Sequence, residues 1–243
     1  MARMPITSAP AESQVAASGA EISCLVAGFL PAGASGYVDD LVTRLPLEVR
    51  LSRPRRTKLG DHRPPGRGCG FHRITINDNL NPYAFLTTLL HEIAHAATWD
   101  RHRGRRRLRP HGPEWKGEFG GILRPVVEGA VLPPPVTAAL ARSLESPAAA
   151  TCTDRGLVLA LAAFDPPTPG RVRVEALAEA TFFRTDRGMI FRAGRMIRSR
   201  RACFEHPGGR EYRVHGLALV EPIDPPPPAG RQRRARPGPG RRG

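Results

Sequence analysis

Apolar residues in this chain recur at helical spacing in some stretches and at strand spacing in others. Tyr37, Leu41 and Leu45 fall on one face of a 3.6-residue repeat that breaks at Pro46, which predicts a short amphipathic helix from Gly36 onward. Phe71, Ile74 and Ile76 mark a short strand within 70–77, and Asn77, Asp78 and Asn79 end it. Pro82 suits the first turn of a helix whose apolar face is supplied by Phe85, Leu86, Leu89, Leu90, Ile93 and Ala94. Pro113, Trp115, Phe119 and Ile122 predict a further helix that stops near Pro125. Residues 136–164 read as two short Ala/Leu-rich helices broken at Pro147 and Gly156. Over 172–222 the period shortens to strand-like runs with turns at 186–188, at Gly194 and at 207–209, the pattern of a small antiparallel barrel or sheet.

The 243 residues suffice for one large core or two small ones, and the shift in period favours two. The 26 Pro and 25 Gly exceed what one compact fold uses, so the excess is expected in linkers and tails. Residues 1–35 are expected to be a disordered leader, 131–170 a helical, Pro-rich linker, 171–223 a small β-rich module and 224–243 a disordered Pro/Arg-rich tail. The apolar run at 22–30 is too short to cross a bilayer and follows no basic segment, so neither a membrane span nor an export signal is expected. Cys24, Cys69, Cys152 and Cys203 form no CxxC pair, which fits a reducing cytoplasm, with association with the nucleoid as an option. Oligomeric state is not legible.

Candidate chemistry lies on the helix after Pro82. The run His91-Glu92-Ile93-Ala94-His95 is HExxH, and its i, i+4 spacing brings both imidazoles to one helix face, where they can share a metal ion. A catalytic zinc needs three protein ligands and an open position, and Glu92 is placed to act as general base toward a water there. Candidates for the third ligand are His102, His111 and, more distantly, His62, His72, His206 and His215. His111 is best placed, because Gly112 after it allows a tight turn and Pro113 starts a helix. His102 sits in an Arg-rich loop.

Four stretches together resemble the SprT-like zinc metalloprotease domain, the family that includes the Spartan proteases of eukaryotes. They are Arg56-Thr57-Lys58-Leu59-Gly60, Ile74-Thr75-Ile76-Asn77, Thr87-Thr88-Leu89-Leu90-His91-Glu92-Ile93-Ala94-His95-Ala96 and His111-Gly112-Pro113-Glu114-Trp115. The resemblance covers about residues 36–130 and implies one Zn2+ held by His91, His95 and His111, with Glu92 catalytic. The fold class it implies is α+β: a small zincin-like helical metalloprotease domain with a short strand before the HExxH helix, followed by the antiparallel β module. The implied substrates are proteins bound or crosslinked to DNA. The CxxC zinc ribbon that follows the protease domain in many members has no counterpart in the cysteines of this chain.

Charge bears on that last expectation. A net charge of +15 and a pI near 11.3 favour polyanionic partners, although an Arg-rich composition also follows from a GC-rich genome. Eight Lys/Arg lie in 50–73, and Arg101, Arg103, Arg105, Arg106, Arg107 and Arg109 form a run beside the catalytic helix. These arginines are candidates for phosphate contacts that hold DNA near the zinc, and Arg198, Arg200 and Arg201 form a third cluster. The leading expectation is a zinc endopeptidase acting on DNA-associated proteins. The alternatives are a basic DNA-binding protein with a structural or silent zinc core, and a zinc hydrolase of small amides. The ligand assignment predicts that His111→Ala loses most zinc affinity while His102→Ala keeps it; equal metal content in the two purified variants would refute it.

Overall fold

The structure, a computed structural model, describes residues 15–16, 18–55, 58–66, 68–103, 108–145 and 154–227. It is a mixed α+β protein whose described residues form six α-helices and two sheets, divided into two compact units, 1–165 and 166–243. No described helix is long and apolar enough to cross a membrane.

The first unit opens with β1 (Val15–Ala16), α1 (Gly19–Ala27) and α2 (Ser35–Thr43). Within the leader expected to be disordered over 1–35, α1 is a packed helix: Ser18 and Glu21 cap it reciprocally, and Ile22 and Val26 are fully buried. Ile22 and Val26 lie four residues apart, one helical turn, on the face that meets the core. Strands β2 (Leu47–Ser52), β3 (Gly60–Arg63) and β4 (His72–Asn77) complete a four-stranded sheet in the order β1-β2-β4-β3, with β2 parallel to β4 and β3 antiparallel to it at the edge. Only β4 was expected. The alternation Leu47, Val49, Leu51 is nevertheless a period-two apolar pattern, and all three side chains are buried. Between them Glu48 is buried and holds Arg50 and Arg73, each at 2.6 Å.

Helix α3 (Pro82–Arg101) is the centre of this unit. Asn81 caps it, its side-chain oxygen accepting from Tyr83 N and Ala84 N, and Pro82 takes the first position, where its missing N–H costs nothing. Thirteen of the helix's residues are buried, so it packs on more than one face. The hydroxyls of Thr87, Thr88 and Thr98 donate to the carbonyls four residues back, which lets them sit in an apolar setting without stranded polar atoms. Helix α4 (Pro113–Glu128) runs through Pro125 rather than stopping there. Proline removes one helical bond, to Gly121, but Gly121 is solvent-exposed, so its carbonyl can turn to water. Tyr37 of α2 donates to Ile122 O at 2.7 Å and ties the two helices.

Helices α5 (Pro134–Glu145) and α6 (Arg155–Ala162) occupy the stretch expected as linker, but they pack onto the first unit. Val136, Ala139, Leu140 and Leu157 join its core, and Asn81 Nδ2 donates to Leu161 O and to Asp165. The second unit is a six-stranded antiparallel sheet of β5 (Val172–Arg173), β6 (Phe182–Arg184), β7 (Ile190–Ile197), β8 (Arg200–Glu205), β9 (Glu211–His215) and β10 (Leu219–Ile223), in the order β5-β10-β6-β7-β8-β9. Gly194 is not a turn. It lies in β7 at a register shift between Ala193 and Met196, and the chain turns at Arg198, whose φ is 54°. Most of the tail expected to be disordered, 228–243, lies outside the described residues.

Asn81 serves two elements at once, which sets a stability test. Asn81→Ala removes the α3 cap and both bonds toward α6 and is expected to cost about 2 kcal/mol. Asn81→Ser, which keeps a cap acceptor and loses the amide donors, should fall between it and wild type in urea midpoint.

Candidate metal site

Two turns of α3 carry the site. His91 and Glu92 are buried and His95 is half-buried, because the helix passes beneath β3 on one side and α4 on the other. His111 arrives from the loop before α4. Its φ of 58° is left-handed, a conformation that costs a non-glycine residue about 1 kcal/mol or more. Gly112 N donates to Arg109 O at 2.9 Å, and a Cβ at 112 would stand 3.0 Å from that carbonyl. The tight turn swings the His111 ring back over α3.

The three imidazoles converge. His91 Nε2 lies 3.3 Å from His95 Nε2 and 3.0 Å from His111 Nε2, and the three potential ligand atoms are all within 4.8 Å of one another. Ligands about 2.0–2.1 Å from one tetrahedral ion stand about 3.3 Å apart, so the spacing fits a single metal. The chemistry also fits, since ligating imidazoles must be neutral. Burial pushes His91 down to about 3 and His95 to about 4, with their neighbouring imidazoles adding to the effect, and it lowers His111 as well. Trp115, itself fully buried, floors the site with ring centroids 4.7 Å from His91, 5.3 Å from His95 and 4.7 Å from His111, and Phe119 stacks beneath it at 4.7 Å.

Glu92 stands beside the triad without belonging to it. Burial raises its carboxyl to about 7, helped by the charge of Asp61 and opposed by Arg55 and Lys58. Strand β3 covers it closely: a Cβ at Gly60 would come within 2.7 Å of Thr88 Cγ2 and 2.9 Å of Glu92 Oε1. Gly60 is thus the residue that lets an edge strand approach the carboxylate. Glu92 and His95 open onto a cleft of about 330 Å³, walled by Trp99, Leu108 and Trp115.

The remaining histidines sort clearly. His102 follows the last turn of α3 and takes no part in the triad, while His206 and His215 belong to the second unit. His62 and His72, weighed only as distant ligands, are beside the site but outside the triad. His62 stacks on His95 with ring centroids 6.0 Å apart, and its Nε2 lies 2.8 Å from His72 Nδ1. Their proximity needed the pairing of β3 with β4, and β3 was not foreseen. Of the candidate DNA-contacting arginines, Arg105, Arg106 and Arg107 lie outside the described residues. Arg101 is paired with Glu118 at 2.9 Å, Arg103 sits 4.5 Å over the Trp99 ring, and exposed Arg109 lines the cleft. Arg201 is not available to phosphate at all, being buried and donating to the carbonyls of Gly194, Glu175 and Leu177.

Two histidines one helical turn apart, a glutamate between them and a third histidine returning from the next loop form an HExxH arrangement whose three imidazoles could hold a metal ion. Residues 39–123 match the SprT-like family, from within α2 to within α4, so this segment is similar to a metalloprotease-type domain. No curated protein and no solved structure matches the chain.

The neutral burial of these rings predicts how the metal-free chain responds to acid. The unfolded histidines take up protons near 6.5, whereas folded His91, His95 and His62 resist until about 3 to 4, so stability falls as pH drops from 6.5 toward 4.5. Glu92, with its carboxyl raised to about 7, works in the opposite direction over that window. Glu92→Gln should therefore steepen the loss, read as melting temperature against pH in chelator; a flat profile contradicts the assignment.

Proposed function

We propose that this protein is a zinc-dependent endopeptidase in which His91, His95 and His111 hold the metal and Glu92 is the general base. The observation that carries this reading is the convergence of three neutral imidazole nitrogens at tetrahedral spacing, with a buried carboxylate beside them at the wall of an open cleft. A metal held there supplies Lewis acidity toward a peptide carbonyl. Glu92 accepts a proton from the attacking water and returns it to the leaving amine nitrogen. A carboxyl poised near neutrality does both. A purely structural site has no use for such a group over an open position.

The cleft favours a peptide over a small amide. Strand β3 is the free edge of its sheet and runs beside the HExxH helix, so an extended chain can pair with its unused backbone groups. We further propose that the substrates are proteins held on DNA. Support comes from the basic surroundings: Arg109 at the cleft, Arg103 nearby on Trp99, and the net charge of +15.

The deciding experiment is cleavage of a DNA-binding protein by the zinc-loaded chain, with and without single-stranded DNA, against Glu92→Gln. The expected result is cleavage that DNA stimulates and that Glu92→Gln lowers at least 100-fold, the order of a lost general base. Equal rates in the two chains would reject the mechanism; Glu92-dependent cleavage indifferent to DNA would reject the substrate class.

A further inference from the structure

Two histidines beside the triad form a chain of contacts whose proton order is fixed from one end. His72 is fully buried, and its Nε2 faces the Asp100 carboxylate at 3.3 Å in a geometry too bent for a full hydrogen bond. A bare lone pair there would confront a negative charge, so Nε2 carries the proton. Burial lowers the ring's pKa, against the pull of Asp100, and so favours the neutral form, in which Nε2–H leaves His72 Nδ1 as the acceptor at the 2.8 Å contact. His62 Nε2, 2.8 Å away, must then donate to it. A neutral imidazole has one N–H, so His62 Nδ1 is an unprotonated lone pair.

That lone pair has no internal use. His62 is half-buried and lines the cleft with Glu92 and His95, and its Nδ1 is not among the buried, unpartnered polar atoms, so it meets the solvent. It is not a fourth ligand, because His62 does not join the group whose nitrogens converge. Two other polar side chains at the cleft have uses of their own: Thr98 donates to Ala94 O at 2.6 Å and His95 belongs to the triad. Glu92 is reserved for the proton.

We propose that His62 is a substrate-binding acceptor, held by the Asp100–His72 relay so that its Nδ1 takes a hydrogen bond from a backbone N–H of an extended peptide in the cleft. The proposal rests on the peptide-cleaving reading and deepens it. His72 and Asp100 act through His62 and are positioning residues. The parallel stack of His62 on His95, 6° from coplanar, fixes the ring while leaving its edge free.

The test separates binding from hydrolysis. Zinc-loaded, full-length Glu92→Gln chain is titrated against fluorescein-labelled β-casein, an unfolded protein, with His62 intact, as His62→Phe and as His62→Asn. Phenylalanine keeps the stacked ring and loses the acceptor, so affinity should fall about five- to tenfold. Asparagine returns an oxygen near the Nδ1 position and should recover to within about twofold of the parent. Zinc content should hold across the series, and any drop in melting temperature from the lost bond to His72 Nδ1 should be shared by both variants, whereas a merely structural role would not let asparagine restore affinity. In parallel, ¹⁵N spectra of the metal-free wild-type chain should show His62 protonated at Nε2. Casein binding that is equal with and without the imidazole, including none at all, overturns the proposal, as does an Nδ1-protonated His62. Failure of the peptidase reading shows separately, as absent cleavage by wild type.

Discussion

A metal site made only of histidines requires imidazoles that are neutral, close together and unable to relax apart. Helix α3 supplies all three conditions through its burial. Rings at i and i+4 on a solvated helix would protonate below neutrality and separate; on a helix packed by a sheet and by α4 they can do neither. Everything around the site serves that burial. The threonines bond back to their own helix, Asn81 seals its N-terminus, and Trp115 and Phe119 exclude water from beneath the rings. The same desolvation lifts Glu92 toward neutrality. One environment thus tunes acid and bases in opposite senses, because it disfavours charge of either sign.

His91 and His95 were legible because helical periodicity alone places them on one face, Glu92 because it follows the first of them, and His111 because a glycine and a proline mark its turn. The grouping of these side chains was read from local rules. Features that depend on pairing between distant segments were not. Strand β3 is four residues of Gly-Asp-His-Arg with no apolar alternation, and it exists because β4 offers it an edge. With β3 hidden, the proximity of His62 to His72 and the closeness of Gly60 to Glu92 were hidden too. Helix α1 was lost to composition: small residues surround it, yet Ile22 and Val26 suffice to anchor it to the core.

Basic residues near the site illustrate why charge runs are weak evidence by themselves. Arg101 and Arg103 are adjacent in one run, yet one neutralises Glu118 and the other stacks on an indole. Arg55 and Lys58 both reach Asp61, and Arg73 and Arg50 share Glu48. Much of the positive charge around β3 and β4 is therefore spent on internal order. What remains to attract a polyanion is smaller than the formal charge suggests, and Arg109 is its best-placed member.

Arg201 shows the same economy in the second unit, with a thermal consequence. The small sheet has only a handful of large buried apolar side chains, and a guanidinium donating to three carbonyls closes the middle of its core. Heat capacity of unfolding grows with apolar area exposed and shrinks with polar area, so a core closed by a cation unfolds with a low heat-capacity change for its size. Its stability curve is correspondingly shallow.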